Sequence, residues 1–414
     1  MTIRLRSRDH ERPARPCPPA AASGGRGQTD LSRCGPLQAA ARALLLLAAL
    51  AWAGGAAAGA PERAKGAVRY VSHGGSDLAE GTLTAPWKTL RHAMRQLHAG
   101  DTLFIRGSPR PSFDPEDACA SPSEACWTES ERCGGYGTCS PLHWVAGEVR
   151  AAGAGEDARL RIAAYPGEVV IIQPARGDQV VAMEPVPGPG ACSYITFEDL
   201  VFDARNVVGN VFKIDPKAIH DDPSLHCKFN KVVGGKIRHG KFVAGVALVG
   251  SSWQFIGVEA YENGCQTTSG DHDHAYYIQG VRNLVQGGSI HHNMHAVQVW
   301  NEHINGKGIE GHNEFRSVDI GNNGFNPWCK ARRQGCGPEL ALYHDVGSHS
   351  TVDGCRVHDN SCGSIGLSGD WGPVPASHSR VTNNRIWGNR TDAIYRGNAS
   401  DAVVEGNAFG PPDR

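Results

Sequence analysis

The sequence predicts an all-β chain, a right-handed parallel β-helix solenoid with a short N-terminal capping helix and a Cys-rich loop insertion. Two observations carry the prediction. From about Cys192 onward, similar segments recur loosely every twenty-odd residues. Asn283 to Asn293, Ser350 to Asn360 and Ser379 to Asn389 each hold an apolar residue, a polar turn, a second apolar residue and an asparagine three positions later. A short alternating segment follows each asparagine, at His295 to Trp300, Ser364 to Ser368 and Asp392 to Tyr395. A repeat of this length is one turn of a β-solenoid, whose alternating side chains fill a narrow core. Asparagines at equivalent corners tolerate left-handed dihedrals and can stack as a hydrogen-bonded ladder. The second observation is composition: 52 glycines and few aromatic residues suit tight turns and short strands better than a helix bundle.

The elements follow in chain order. Residues 1–60 read as a leader, Arg/Pro/Gly-rich at first. A basic segment from about Arg33, an apolar run from Ala43 to Trp52 and small residues up to Ala60 then follow. That order predicts an export signal cleaved between Ala56 and Ala60, with an uncleaved anchor as the alternative. Residues 61–414 are assigned to the β-helix. Val68 to Ser72 predicts a strand, and Leu90, Ala93, Met94 and Leu97 at helical spacing predict a short helix. Gly100 ends that helix and Thr102 to Ile105 resume as a strand. The helix would cover the open end of the stacked core. Residues 108–145, with Cys119, Cys126, Cys133 and Cys139, read as a disulfide-stapled insertion. Cys329 with Cys336, and Cys355 with Cys362, are further close pairs. Without Cys17 and Cys34 of the leader, eleven of the 13 cysteines remain, so one thiol is left over. No Cys-x-x-Cys pair occurs, which favours disulfides in an oxidising compartment over a metal cluster; connectivity is open.

Strand, helix and the Ala99-Gly100-Asp101-Thr102 turn resemble the opening of pectate-lyase-like β-helix proteins, with alanine where that family has proline. Ala164-Tyr-Pro-Gly-Glu168 resembles the family's second coil, and the asparagine repeats resemble those of polysaccharide lyases, glycoside hydrolases and alginate epimerases. The resemblance implies a secreted, periplasmic or extracellular protein that acts on a polysaccharide. The 41 basic and 42 acidic side chains give no global field, so neither nucleic acid nor an anionic membrane is expected as partner, and a monomer is.

Chemistry is densest at Asp271-His272-Asp273-His274, with Tyr277 and His295 nearby. Proton abstraction from a uronate needs a base, a proton donor and a cation to hold the carboxylate. His272 or His274 is the expected base, Tyr277 the donor, and Arg316 or Arg332 the clamp. Asp271 to His274 is also similar to the acidic-and-histidine motif of alginate epimerases, without that motif's proline. Coils stack at about 4.8 Å, so Tyr276 to Ile278, Val297 to Val299, Leu340 to Leu342 and Ile365 to Leu367 are expected in register. Outward Tyr277, Gln298, Trp300 and Tyr343, with Asn301, then form an exposed sugar-binding stripe. Other readings stay open. Asp271 with Asp273, or Asp345 with Asp370, could serve a glycoside hydrolase. His272, His274 and His295 could hold a metal, or carboxylates calcium. A non-catalytic β-helix that binds glycan or a cell surface needs only the stripe.

Overall fold

The computed structural model describes residues 66–109, 119, 124–145, 150–184, 192–214, 227–242, 244–265, 273–301, 310–332, 337–343, 349–367, 377–397, 399 and 401–412, with the backbone alone at Tyr343. The leader, Asp271, His272, Asp345 and Asp370 therefore lie outside the described residues.

The fold is the parallel β-helix. Each coil visits three parallel sheets in turn, as in Gln254–Ile256, then Glu259–Tyr261, then His274–Ile278, before Leu284–Gln286 returns to the first. Among the described residues the first, second and third sheets have 11, 11 and 8 strands. Alternation turns one row of each strand inward. Phe197, Val232, Phe255, Val285, Phe315, Val352 and Val381 pair in sequence across the first sheet, and each is buried. Phe202, Ile237, Ala260, Ile290, Ile320, Val357 and Ile386 repeat this in the second. Burial of each large apolar side chain stabilises by roughly 1.5–3 kcal/mol.

The corners are made by left-handed residues. One row runs Tyr194, Phe229, Ser252, Arg282, His312, His349, His378 and Asp401, all with φ between 48 and 59°. A second row runs Asp199, Gly234, Gly257, Gly287, Ser317, Gly354, Asn383 and Gly406, and a third runs His239, Glu262, His292, Asn322, Asp359 and Gly388. The expected asparagine ladder is present, but its members mostly follow the left-handed residue instead of occupying it. Each amide of Asn263, Asn293, Asn323 and Asn360 donates to the next asparagine's Oδ1, ending on Asn389, at 2.8–3.0 Å. The repeat is also longer than expected. Ladder partners stand 30, 37, 29 or 23 residues apart, because some coils carry inserted residues.

The helix forms at Leu90–Gln96, its start capped by Thr89 Oγ1, which accepts from the His92 N–H at 3.1 Å. The Glu129 carboxylate, reaching in from the Cys-rich stretch, accepts from the Leu90 and Arg91 N–H groups at 2.6 and 3.1 Å. That stretch also builds the solenoid: Cys126–Trp127 pairs with Glu168–Ile172 of the second sheet, and His143–Trp144 with Val181–Met183 of the third. Disulfides join Cys119 to Cys126, Cys133 to Cys139, Cys192 to Cys227 and Cys265 to Cys329. The two other close pairs do not form. Cys329 bonds across a corner to Cys265, and Cys355 is a free, buried thiol among the described residues. Burial pushes the Cys355 thiol up to about 12.

Asn323→Ala removes amide bonds to Ile290 O, Gly321 O and Asn360 Oδ1 and the acceptor for the Asn293 N–H. It should cost about 2–4 kcal/mol in urea unfolding, because buried backbone groups lose their partners. Asn322→Gly at the left-handed, exposed neighbour should stay within about 0.5 kcal/mol. A second test uses acid. Burial alone would raise the Asp203 carboxyl, but hydrogen bonding from His239 and the nearby Arg238 charge outweigh it and hold it at about 2, against 3.8 when unperturbed. A depressed folded value contributes stability above pH 3.8 that is lost as pH falls towards 2, here about 2 kcal/mol. Urea midpoints should drop across that window in the wild type, and less steeply in Asp203→Asn.

Candidate functional site

Length variation in the solenoid is not spread evenly. The turn from the first sheet to the second has two residues in coil after coil, as between Ile256 and Glu259, Gln286 and Ser289, Arg316 and Asp319, and Asp353 and Arg356. Extra residues enter next to third-sheet strands instead: 262–273 before His274–Ile278, 301–313 after Val297–Trp300, 322–337 before Pro338–Tyr343, and 367–379 after Gly363–Gly366. In a solenoid, per-coil insertions gathered on one side mark the side that meets a ligand.

The third sheet has the expected register. Tyr276, Val297, Leu340 and Ile365 pair in sequence, as do Tyr277, Gln298, Ala341 and Gly366, and Trp300 pairs with Tyr343. The row of Tyr277 continues back through Ala247, Lys213, Ala182 and His143. The small residues of this row, Ala182, Ala247, Ala341 and Gly366, are themselves buried, Ala182 against Cys133, Tyr136 and Cys139. Tyr277, Lys213 and Trp300 are half-buried. Coil spacing puts Lys213 about 10 Å from Tyr277 along the axis.

Beside Tyr277 lies a histidine pair. The His274 and His295 rings are 4.4 Å apart between centroids, and His274 packs on the Tyr277 ring at 5.3 Å and 23°. His295 Nε2 donates to the Pro338 carbonyl at 2.8 Å. A carbonyl only accepts, so the bond assigns the proton of a neutral His295 to Nε2 and the basic lone pair to Nδ1. The next residue is held as well, since the Ala296 N–H donates to the buried Glu339 carboxylate at 2.9 Å. Asp273, at 6% exposure, precedes the strand. The Cys265–Cys329 disulfide and the Asn326 amide, donating to Gly264 O at 2.8 Å, tie the hairpin of Phe325–Asn326 and Ala331–Arg332 to the coil that enters this strand.

The structure therefore brings Asp273, His274, Tyr277, His295 and Trp300 onto one sheet and corrects several other expectations. His274, expected as an accessible base, is fully buried with His295 at 2%. Gln298 is 6% exposed, because it lies between Tyr277 and Ala341 in its row, and so is not part of an exposed stripe. Asn301 is also buried, and its amide donates to the Gly280 carbonyl at 3.1 Å. Arg316 belongs to the first sheet, in register with Gln286 and Asp353, where it pairs with Glu314 at 2.6 Å. There it lines an open groove of about 540 Å³ with Asp353, Arg380 and Glu405, away from the histidines. Arg332 sits on the strapped hairpin, its guanidinium 5.2 Å from the Phe325 ring centre. The side chain of Tyr343 lies outside the described residues.

Two residues were missed. Lys213 stands two coils before Tyr277, and aligning Phe212-Lys-Ile214 with Tyr276-Tyr-Ile278 by their apolar flanks would have found it. Glu339 gives no sequence signal, because its role depends on the coil beneath. Among the described residues, no three His, Cys, Asp or Glu side chains stand together at metal-ligand spacing.

No family model matches the chain, and no curated protein matches it. Solved structures with low identity align to it. A rhamnogalacturonan lyase is 14% identical with a TM-score of 0.40, over 78% of this chain and 69% of that one. A pectate lyase is 15% identical with a TM-score of 0.32, over 78% of this chain and 54% of that one, so the chain spans about half its length. The A-module of an Azotobacter vinelandii mannuronan C-5 epimerase is 14% identical with a TM-score of 0.30, over 75% of this chain and 91% of that module. These likenesses concern architecture alone, and the three stacked sheets establish it independently: the chain is a parallel β-helix protein.

Proposed function

We propose that this is a secreted carbohydrate-active protein that takes an extended uronate-containing polysaccharide along its third sheet and acts on it as a lyase or epimerase. The observation that carries the reading is the clustering of His274, His295 and Tyr277 on the one sheet beside which the coils vary in length. Half-buried Trp300 offers an aromatic platform for a sugar ring. Four disulfides among the described residues support an oxidising compartment. No helix of the described residues is long and apolar enough to cross a membrane.

The chemistry divides among named groups. Lys213, with Arg332 on the strapped hairpin, neutralises the uronate carboxylate and so stabilises the carbanion formed when the adjacent C5 proton leaves. Half-buried Tyr277 is the member of the cluster that reaches the substrate and takes that proton as the phenolate, and the buried His274–His295 pair holds its ring in place. In a lyase, Tyr277 then protonates the departing glycosidic oxygen as a C4–C5 double bond forms. In an epimerase, a proton returns to the opposite face of C5 and no bond breaks.

Ultraviolet absorbance of unsaturated uronate, followed during incubation with pectates, alginates and glycosaminoglycans, tests the lyase. Solvent deuterium incorporation at C5 tests the epimerase. Either signal should fall about 10²–10³-fold in kcat in Tyr277→Phe, as for loss of a general acid or base, and by less in His295→Ala, which removes only a buried neighbour of the pair that positions it. Arg316→Ala, on another sheet, should change it less than twofold. Neither signal on any uronate polymer, with binding retained, would replace this reading with a non-catalytic glycan-binding β-helix.

A further inference from the structure

A buried amide that the fold leaves unused stands next to Tyr277. Gln298 is 6% exposed, yet among the described residues its side chain has no hydrogen-bond partner. Buried polar groups are otherwise paired almost throughout this fold, as Asn263 and Asn293 are in the ladder, so an idle amide needs a reason. Tyr276 Oη and Ser379 Oγ are also unpaired, but both are sealed from solvent. Gln298 differs from them. It alternates with the inward Val297 and Val299, which turns it to the outer face of the third sheet, and its amide atoms keep a little contact with solvent. Its neighbours fix its place. Tyr277 is its partner in the preceding coil, and Ala341 and Gly366 follow in the row with no side-chain polar atom to offer it. Half-buried Trp300 lies two residues along the same strand, on the same face.

We propose that the Gln298 amide is the hydrogen-bond donor that holds the carboxylate of the reacting uronate; this rests on the reading of the third sheet as the polysaccharide face. A base about 3–3.5 Å from C5 stands about one coil spacing, ~4.8 Å, from the oxygens of the carboxylate on that carbon. Gln298 is one coil from Tyr277, whereas Lys213 is two coils away on the other side. A glutamine side chain is also shorter than a tyrosine. The amide is therefore recessed beside the phenol, where it meets a carboxylate turned towards the sheet. When the Tyr277 phenolate takes the C5 proton, the C–H electron pair passes into the carboxylate, whose oxygens gain negative charge. An N–H already aimed at them binds more strongly at that moment, and it carries no charge of its own to desolvate. Lys213 and Arg332 supply attraction at longer range, and Gln298 fixes where the carboxylate sits relative to Tyr277.

Steady-state kinetics of the full chain on polygalacturonate and on alginate, read by ultraviolet absorbance and by deuterium exchange at C5, test the assignment together with thermal unfolding. Expected in Gln298→Leu is a kcat lower by about 10²-fold, as for loss of one oxyanion donor, with a Tm equal to or above that of the wild type. The Tm separates the two roles, because an amide without a protein partner gives the fold no hydrogen bond to lose. Gln298→Asn, which holds the amide one methylene further back, should recover part of the lost kcat. A kcat within about threefold of the wild type in Gln298→Leu would overturn the proposal and leave the third-sheet reading in place. So would a Tm lowered by more than about 5 °C, which would make the amide part of the fold. Turnover of neither polymer by the wild type would remove that reading and this proposal with it.

Discussion

From Phe229 to Gly388 each of six successive coils bends its backbone three times through a left-handed residue, and the backbone groups at these bends need partners. The rest of the structure follows from how those groups are paired. The residue after the bend supplies the partner: Asn263, Asn293, Asn323 and Asn360 bridge the coil below to the coil above with both ends of the amide. Serine does the same at Ser350, whose Oγ accepts from the Asn313 N–H. Paired this way, polar groups can lie against a core of valine, isoleucine and phenylalanine without the penalty of unmet hydrogen bonds. Left-handed backbone is cheap only for glycine, yet bulky His, Tyr and Arg occur there. Stacking between coils offsets the strain, as for Tyr194 on Phe229 at 4.9 Å.

This constraint also explains where chemistry can sit. The two-residue bend between the first and second sheets leaves no room for insertion, so those faces carry ladders of ion pairs such as Lys236 with Glu259 and Arg238 with Asp203. Bends on either side of the third sheet accept extra residues without disturbing the ladder, and the His274–His295 pair lies beside them. The strapped hairpin is part of the same arrangement. Trp328 packs on the buried His239 at 4.4 Å, so the hairpin rests on the second-to-third corner of an earlier coil.

Much of the architecture was legible because β-helix constraints are local and periodic. Asn293, Asn360 and Asn389 could be aligned by eye, and the strand at Thr102–Ile105 and the helix at Leu90–Gln96 follow from short patterns, although the helix ends at Leu97, before Gly100. The register of Tyr276, Val297, Leu340 and Ile365 could be read for the same reason: one slipped residue would turn an apolar side chain outward. The site was far less legible. Which sheet a residue joins depends on insertions upstream, so Arg316 could not be separated from the histidines by spacing. Burial depends on the neighbouring coil, so His274 and Gln298 looked accessible. Cysteine bridging follows corners in space, which is why Cys329 reaches Cys265 and skips its near neighbour in sequence.

The central claim is that the third sheet is the face that meets polysaccharide. Amide hydrogen exchange by mass spectrometry, with and without a saturating uronate oligosaccharide, tests it without assuming catalysis. Protection confined to peptides spanning Lys213, His274–Ile278, Val297–Trp300 and the 325–332 hairpin is the predicted result. Protection centred on Glu314–Arg316 and Thr351–Asp353 of the first sheet would contradict the account.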